Sequence, residues 1–551
     1  MNVNAYAAPP AAATRRDVFA RLAFALALAA AAQLAFGALG FNPTDDGFVL
    51  AQARRLLDGE LPHRDFVSVR PVGSALLHAG EVAWGGAYAF LWSRAAFWLE
   101  LALSAWCWTE LALRRVAARP GLALECAAIA LGFTGAAHTF PAMAWHTVDG
   151  VLLASAGAWL ACERSPRRAA LGLALAGAAV TCKQNFAPLL PALVLLAGRG
   201  RAPWAWLAAA AAPLAYAAVL AAHGALGDAA AQLFALSAAG EDALAPFTRT
   251  PFFAYGALAG VLAATLAVRD GRVARTIAAL LPCALALLAA RALDAADARY
   301  LHRHAYAVLG YAAGFAARAA FARERRGVAA LVACAALLGA CASLSVGWRS
   351  PALALGAVWP AVLVAQFGAM QWFGPRTRAL AAAAALALAA YAGVHFAHAR
   401  TERLYHQPPR ERLTFALGGV WPGGRGIVTD ANTYAALAEL RDAANAAAAR
   451  GGAYAVLVDA PGWWACARER NPLPVAWAQD VELPTPALRE RLASTLRERR
   501  GTLVLLVQRG SLAQVARGHA PIEGGGYAHA AALARELYPD SLAGEWWTVR
   551  H

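Results

Sequence analysis

Residues 22–48 read LAFALALAAAAQLAFGALGFNPTDDGF, an almost unbroken apolar run from Leu22 to Phe41 followed by Asn42-Pro43-Thr44-Asp45-Asp46-Gly47-Phe48. A helix needs about 20 apolar residues to cross the hydrocarbon layer of a bilayer, and this run has that length. Arg15, Arg16 and Arg21 precede it, it is too long for a signal-peptide core, and no persuasive cleavage site follows, so it is expected to be a retained first span. The acids at its far end matter for a different reason. A chain this apolar tolerates few carboxylates near a bilayer, so two in succession at the edge of a span mark chemistry before solubility.

Working outward, the whole chain has the same character: 551 residues, 60% hydrophobic, with a net charge of +15. That is more apolar material than one soluble core uses, and it indicates a polytopic membrane protein. In a soluble domain the positive charge would point to nucleic acid. Here the arginines gather in short turns between apolar stretches, the pattern of membrane anchoring, and nucleic acid is excluded as a partner. Of the eight cysteines, Cys107, Cys126, Cys162, Cys182, Cys283, Cys334 and Cys341 lie in or beside apolar segments and only Cys466 in a polar region, which is neither a disulfide framework nor a zinc spacing.

Scanning for span-length apolar segments gives residues 18–41, 91–113, 121–138, 145–162, 168–183, 185–198, 203–222, 252–268, 274–291, 302–321, 327–346, 351–373 and 378–398, about thirteen transmembrane helices. Alternate turns should then be rich in arginine, and they are: Arg114/Arg115/Arg119, Arg164/Arg167/Arg168, Arg199/Arg201, Arg269/Arg272/Arg275, Arg323/Arg325/Arg326 and Arg376/Arg378 fall on the N-terminal side. The positive-inside rule assigns that side to the cytoplasm of a bacterial inner membrane. The opposite side receives the loop 42–90, the 138–146 turn, the Lys183 turn, the loop 223–251, the stretch 291–304 and residues 400–551. The expected organisation is a transmembrane domain over 1–399 and an extracytoplasmic domain over 400–551.

The second region changes composition. Gly426–Thr429, Tyr454–Asp459 and Thr502–Gln508 read as short buried strands alternating with helical patterns at Thr433–Arg450, Pro486–Arg500 and Ala528–Leu537, which predicts a small α/β domain. Trp463, Trp464 and Trp477 lie among prolines and charges between its strands. Aromatic faces suit sugar rings, but interfacial anchoring or a place in the domain core is the commoner use, and is expected here.

After the acidic pair comes a helical stretch from Phe48 to Asp58, then Leu56-Leu57-Asp58-Gly59-Glu60-Leu61-Pro62-His63-Arg64-Asp65-Phe66, then Arg70-Pro71 leading a further apolar helix to about Trp84. This order resembles the GT-C class of polyprenyl-phosphate-dependent glycosyltransferases, in particular the broad RgtA/ArnT/PMT-like group. The resemblance covers residues 18–113, and more loosely the hydropathy up to about 399. It implies a polytopic α-helical GT-C-like fold, a polyprenyl-phosphate-linked sugar as donor substrate, and a glycan, glycolipid or protein acceptor outside the cytoplasm. It also implies that Asp45 stands at the position of the base. Asp46, where the group often has Glu, would tune or orient it, or hold a divalent metal in those members that use one.

The chemistry agrees with that implication. Phosphate is a good leaving group, so transfer needs a base for the acceptor hydroxyl and cations for the phosphate. A neighbouring carboxylate would raise the proton affinity of Asp45 toward a useful range. The competing explanation is that Thr44-Asp45-Asp46 caps the following helix, which would use only one of the acids.

Lys183 is the sole lysine of the chain, in Thr181-Cys182-Lys183-Gln184-Asn185. A compact ammonium where every other cation is a guanidinium suits a phosphate oxygen; a snorkelling helix-end lysine is the alternative. Arg299, His302 and Arg303, within Arg299-Tyr300-Leu301-His302-Arg303-His304, form a cationic cluster like the entry to a late span that approaches the donor phosphate in the GT-C class. Lipid-headgroup contact would explain any one of them alone. His146 and Asp149 share a helical face at the start of the fourth span, either lining the same cavity or serving as a satisfied polar cap. Arg70 and Arg349 are further phosphate candidates, and Glu241 and Asp242 acceptor candidates, against the reading of solvated loop charges. A transporter or flippase would instead carry its ionisable groups at mid-span beside interrupted helices. A non-catalytic scaffold presenting the outer domain would give no reason for these groups to share one side.

Overall fold

The computed structural model describes residues 15–551 except 117–118, 139, 236–246, 248–250, 268–270, 293–297, 323–324, 345–349, 369–374, 458 and 510–526. The protein is mostly helical, and a helix stands at each of the thirteen apolar segments. In chain order the α-helices up to residue 233, including four outside those segments (α2, α3, α4 and α11), are α1 (Arg15–Phe36), α2 (Phe48–Leu57), α3 (Gly73–Leu77), α4 (Ala79–Trp84), α5 (Ala89–Leu113), α6 (Leu122–Ala137), α7 (His146–Ala161), α8 (Pro166–Cys182), α9 (Leu189–Leu196), α10 (Pro203–Ala222) and α11 (Leu226–Leu233). Among the described residues, four helices are both long and apolar enough to cross a membrane: Arg15–Phe36, Pro203–Ala222, Arg326–Ser343 and Ala382–Glu402. The thirteen expected spans are thus supported as helices, and four of them as spans by length and composition. Other segments, such as Leu122–Ala137, Pro251–Leu266 and Ala352–Phe367, are apolar but shorter than that length.

The arginine turns meet one another. Arg114 pairs with Glu163 at 2.7 Å, Arg115 donates to the Leu196 carbonyl at 2.9 Å, Arg199 to the Arg164 carbonyl at 3.2 Å, and Arg119 lies 3.7 Å from Asp17. This gathers the N-terminal end of α1 and three arginine-bearing turns at one end of the bundle. The first loop, the start of α7 and the end of α8 lie at the other.

Within α1, Arg21 is fully buried and ion-paired with Glu110 of α5 and Glu125 of α6. Two acids around one guanidinium tie three helices together. Removing the cation would strand two carboxylates in the bundle. Arg21→Ala is therefore expected to destabilise the detergent-solubilised protein by about 3–5 kcal/mol, read as a lower thermal unfolding midpoint.

The described residues between 415 and 551 form a three-layer α/β unit. A four-stranded sheet has the order β3 (Ala453–Leu457), β4 (Leu503–Gln508), β6 (Trp547–Arg550), β5 (Ser541–Ala543). β3 and β4 run parallel with Ala455 opposite Leu505; β6 is antiparallel to both β4 and β5. A separate two-stranded ribbon joins β1 (Phe415–Ala416) to β2 (Val428–Thr429). Alternation along the strands decides the layers: Tyr454, Val456 and Leu506 face the helix Ala431–Ala449, while Ala455, Leu457 and Leu505 face the helices Pro486–Glu498 and Ala528–Leu537. Asp430 caps the first of these helices by accepting from the Asn432 and Thr433 amides, and Thr485 caps the second.

Among the described residues, both faces of this unit are completed by residues from the first 90 of the chain. Phe41, Phe48, Val49, Leu50, Ala51 and Phe90 join the core with Leu437, Trp463 and Trp477, and Val67 and Val69 join the opposite one. Backbone bridges Leu39–Val428 and Val67–Val475 reinforce the seam. The division at residue 399 in the sequence is therefore not a division of the packing. Trp463, Trp464 and Trp477 are all buried here, the domain-core use the sequence favoured alongside anchoring.

Gly47, the N-cap of α2, has φ +92° and sits against the short helix Trp463–Cys466; a Cβ there would lie 2.7 Å from the Gly462 Cα. Gly47→Ala is expected to cost about 1–3 kcal/mol from crowding alone, with further strain from the left-handed backbone, and to loosen the seam. Faster proteolysis between residues 400 and 551 in the variant than in the wild type would report it.

Candidate active site

The loop 42–47 is built by Asn42. Its side chain accepts from the Thr44 amide at 3.2 Å and donates to Asp45 Oδ2 at 2.9 Å, while its carbonyl accepts from the Asp46 amide at 2.9 Å. The turn sends the two acids in different directions. Asp46 is buried and accepts from Arg94 Nη2 at 2.7 Å; the same guanidinium donates to the Gly37 and Gly40 carbonyls at 2.9 and 2.7 Å. It is a strut between the loop and α5, and a divalent ion bound there would sit beside a guanidinium. Neither acid caps α2, whose N-cap is Gly47 with no side-chain bond.

Asp45 is the acid of the pair that keeps contact with solvent. Its main carboxylate neighbour is not the adjacent Asp46 but Asp459, which follows β3 in the α/β unit. Asp459 is fully buried: Thr44 Oγ1 donates to its Oδ2 at 2.8 Å, Trp477 Nε1 to its Oδ1 at 3.1 Å, and Gln479 to the same oxygen at 3.4 Å. Burial pushes Asp459 up to about 6, with its hydrogen bonds pulling the other way. Burial, and then the charge of Asp459, push Asp45 up to about 7, against hydrogen bonds from Tyr405 and Asn42.

The cations converge from the other side. Lys183, at the end of α8, is buried and donates to Thr147 Oγ1 of α7 at 2.9 Å; it does not snorkel. Burial and the nearby Arg70 hold it down to about 7. Arg70 is anchored by Glu482 at 2.7 Å and lies 5.9 Å from the centre of the Phe48 ring. His146 is buried 5.8 Å from the same ring, with neither ring nitrogen engaged in a hydrogen bond. Phe48 also packs 5.2 Å from Trp477, the indole that holds Asp459. One phenyl ring thus has the carboxylates behind one neighbour and the cations behind the others.

Of the sequence candidates, Arg70 and His146 flank one ring, Lys183 bonds to the residue after His146, and Asp45 lies on the loop that leads into that ring, beside Asp459. Asp149 lies one helical turn beyond His146 and faces His78 Nε2 at 3.1 Å. Arg303, on the helix Ala298–Ala319, is exposed; the side chains of Arg299 and His302 lie outside the described residues, as do Glu241, Asp242 and Arg349. The sequence reading did not single out Asp459, Arg94, Glu482 or His78. Asp459 had a signal: it ends a predicted strand, and in α/β layers ligands gather at the carboxyl ends of strands. A separate open groove of about 680 Å³ is lined by Arg55, Glu60, Asp65, Glu469, Arg470 and Arg491 among others, and by none of the cluster around Phe48.

No protein-family model matches the chain, and neither a curated protein nor a solved structure shows significant similarity to it.

Proposed function

We propose that the protein is an integral membrane glycosyltransferase of GT-C type, which takes a sugar from a polyprenyl-phosphate donor and attaches it to a hydroxyl of a glycan, glycolipid or protein outside the cytoplasm. The observation that supports this reading most is a carboxyl group poised near neutrality on the loop that leads into Phe48, a ring flanked by the Arg70 guanidinium and by His146, whose neighbour Thr147 holds the buried Lys183 ammonium. Asp45 would take the proton of the acceptor hydroxyl as its oxygen bonds to the anomeric carbon. The carbon–oxygen bond to phosphate breaks in the same step, and its electron pair leaves on the phosphate, facing Lys183 and Arg70. A single displacement inverts the anomeric configuration. In this reading the thirteen apolar helices form the membrane domain, the arginine turns face the cytoplasm of a bacterial inner membrane, and the loop 42–90 and residues 400–551 lie outside.

The test uses the full-length protein in liposomes with a panel of radiolabelled polyprenyl-phosphate sugars and an envelope extract as acceptor. Label moving into the extract with release of polyprenyl phosphate is expected for one donor. Labelled lipid crossing the bilayer with no sugar transferred from any donor would replace the transferase with a flippase.

A further inference from the structure

Behind the cation cluster lies a second group of ionisable side chains that the transfer chemistry does not use. His78 sits between α3 and α4, Glu100 in the middle of α5, and Asp149 in the first turn of α7, and all three are buried. One ligand atom from each comes within 4.8 Å of the others. The imidazole is oriented from both sides, with Nε2 3.1 Å from Asp149 Oδ1 and Nδ1 3.0 Å from Glu81 Oε1. Glu100 and Asp149 face one another, and Glu100 Oε2 and Asp149 Oδ2 are buried with no hydrogen-bond donor.

Three carboxyl groups therefore surround a single imidazole. Among the described residues no lysine or arginine forms an ion pair with Glu81, Glu100 or Asp149. Uncompensated carboxylates inside a helical bundle are costly, and they are retained where a cation meets them. We propose that His78, Glu100 and Asp149 bind a divalent transition-metal ion. One imidazole nitrogen and two carboxylate oxygens are donors that suit zinc or manganese. Around a tetrahedral zinc ion the ligand atoms stand about 3.4 Å apart, and the 4.8 Å spread of this cluster would have to tighten on binding. Glu81, on the other imidazole nitrogen, fills the outer position that fixes the tautomer of a metal-bound histidine.

The ion would clamp the α3–α4 junction and α5 to the first turn of α7. That turn carries His146 and also Thr147, the hydrogen-bond partner of Lys183. The site stands on its own geometry and holds whether or not the chain transfers sugar. The rival occupant is a proton shared between Glu100 and Asp149.

The full-length protein, purified in detergent, stripped with chelator and dialysed, would be titrated with Zn2+ or Mn2+ alone while bound metal and the thermal unfolding midpoint are measured. Stoichiometric binding and a raised midpoint are expected, with affinity about 10–100-fold lower or worse in His78→Ala and in Glu100→Gln, which keeps the side-chain volume. Should His78→Ala fail to fold, the visible bands of Co2+ in the wild-type protein report nitrogen–oxygen ligation directly. No bound metal and no change in midpoint would assign the cluster to the shared proton. Binding undiminished in both variants would place the metal elsewhere; either result overturns the inference.

Discussion

Asp45→Asn is expected to lower the transfer rate by about 10²–10⁴-fold while leaving the Michaelis constant for the donor nearly unchanged. The amide keeps the size of the carboxyl and can still bond to Asn42, so the loop 42–47 should hold its shape. What disappears is the ability to accept a proton from the acceptor hydroxyl. The pH profile separates this from a positional effect. With Asp45 held near 7, the fraction carrying the required negative charge falls as pH drops below that value, so the rate falls about tenfold for each unit on the acid side. Lys183, also near 7, loses its positive charge as pH rises, so the rate falls again on the alkaline side. The wild-type profile should be a narrow bell centred near neutrality. Asp459→Asn should shift the acid limb to lower pH, because the charge that holds Asp45 up has been removed. A profile in which neither limb moves in these variants would mean that other groups control the reaction.

Lys183→Ala is expected to cost about 10²–10³-fold, comparable to the loss of one preorganised donor at a developing anion. Here the effect should be greatest for donors whose lipid phosphate is the leaving group. Lys183→Arg should restore little. The ammonium is buried against Thr147 with Arg70 near by, and a guanidinium needs more room and adds a second planar charge to a space shaped for one compact one. If the arginine variant does work, its alkaline limb should vanish, since a guanidinium stays charged. Equal rates in wild type and Lys183→Ala over the whole pH range would remove the lysine from the phosphate site.

Much of the fold was legible because it follows from short-range pattern. Pro203–Ala222 was read to the residue, and the α5 to α8 boundaries within about two residues, because apolar runs between arginine turns have few ways to fold. The strands β3 and β4 announced themselves as buried β-branched and leucine runs. β5 and β6 did not, since three or four residues carry too little pattern to distinguish a strand from a tail. A helix was legible at each long apolar segment, but α11 stands in the stretch 223–251 read as loop, and the span count was less legible still. Segments such as Leu189–Leu196 are cut short by turns that apolar composition does not reveal.

At the site, Asp45 and Lys183 could be singled out because each is locally odd, one by position and the other by being alone of its kind. Their partners could not. Arg94 lies 48 positions from Asp46, and Asp459 lies 415 positions from Thr44. Those contacts arise from how the helices and the α/β unit pack, and no window along the sequence contains both ends. The local reading paired Asp45 with its neighbour. In the fold Asp46 turns to Arg94, and the carboxylate that governs Asp45 comes from the far end of the chain.

The joined cores carry a consequence for biosynthesis. Phe41 and Phe48 emerge early from the ribosome, but Trp477, which covers Phe48, is made roughly 430 residues later; at typical elongation speeds that is a delay of roughly 20–90 s. Throughout that interval the apolar ledge of Phe41 and Phe48 has its neighbours Phe90, Arg70 and His146 but lacks the tryptophan cover that the C-terminal unit supplies. A nascent molecule stalled or truncated before residue 477 would present a sticky surface, ready for chaperone capture or aggregation, however well its earlier helices had formed.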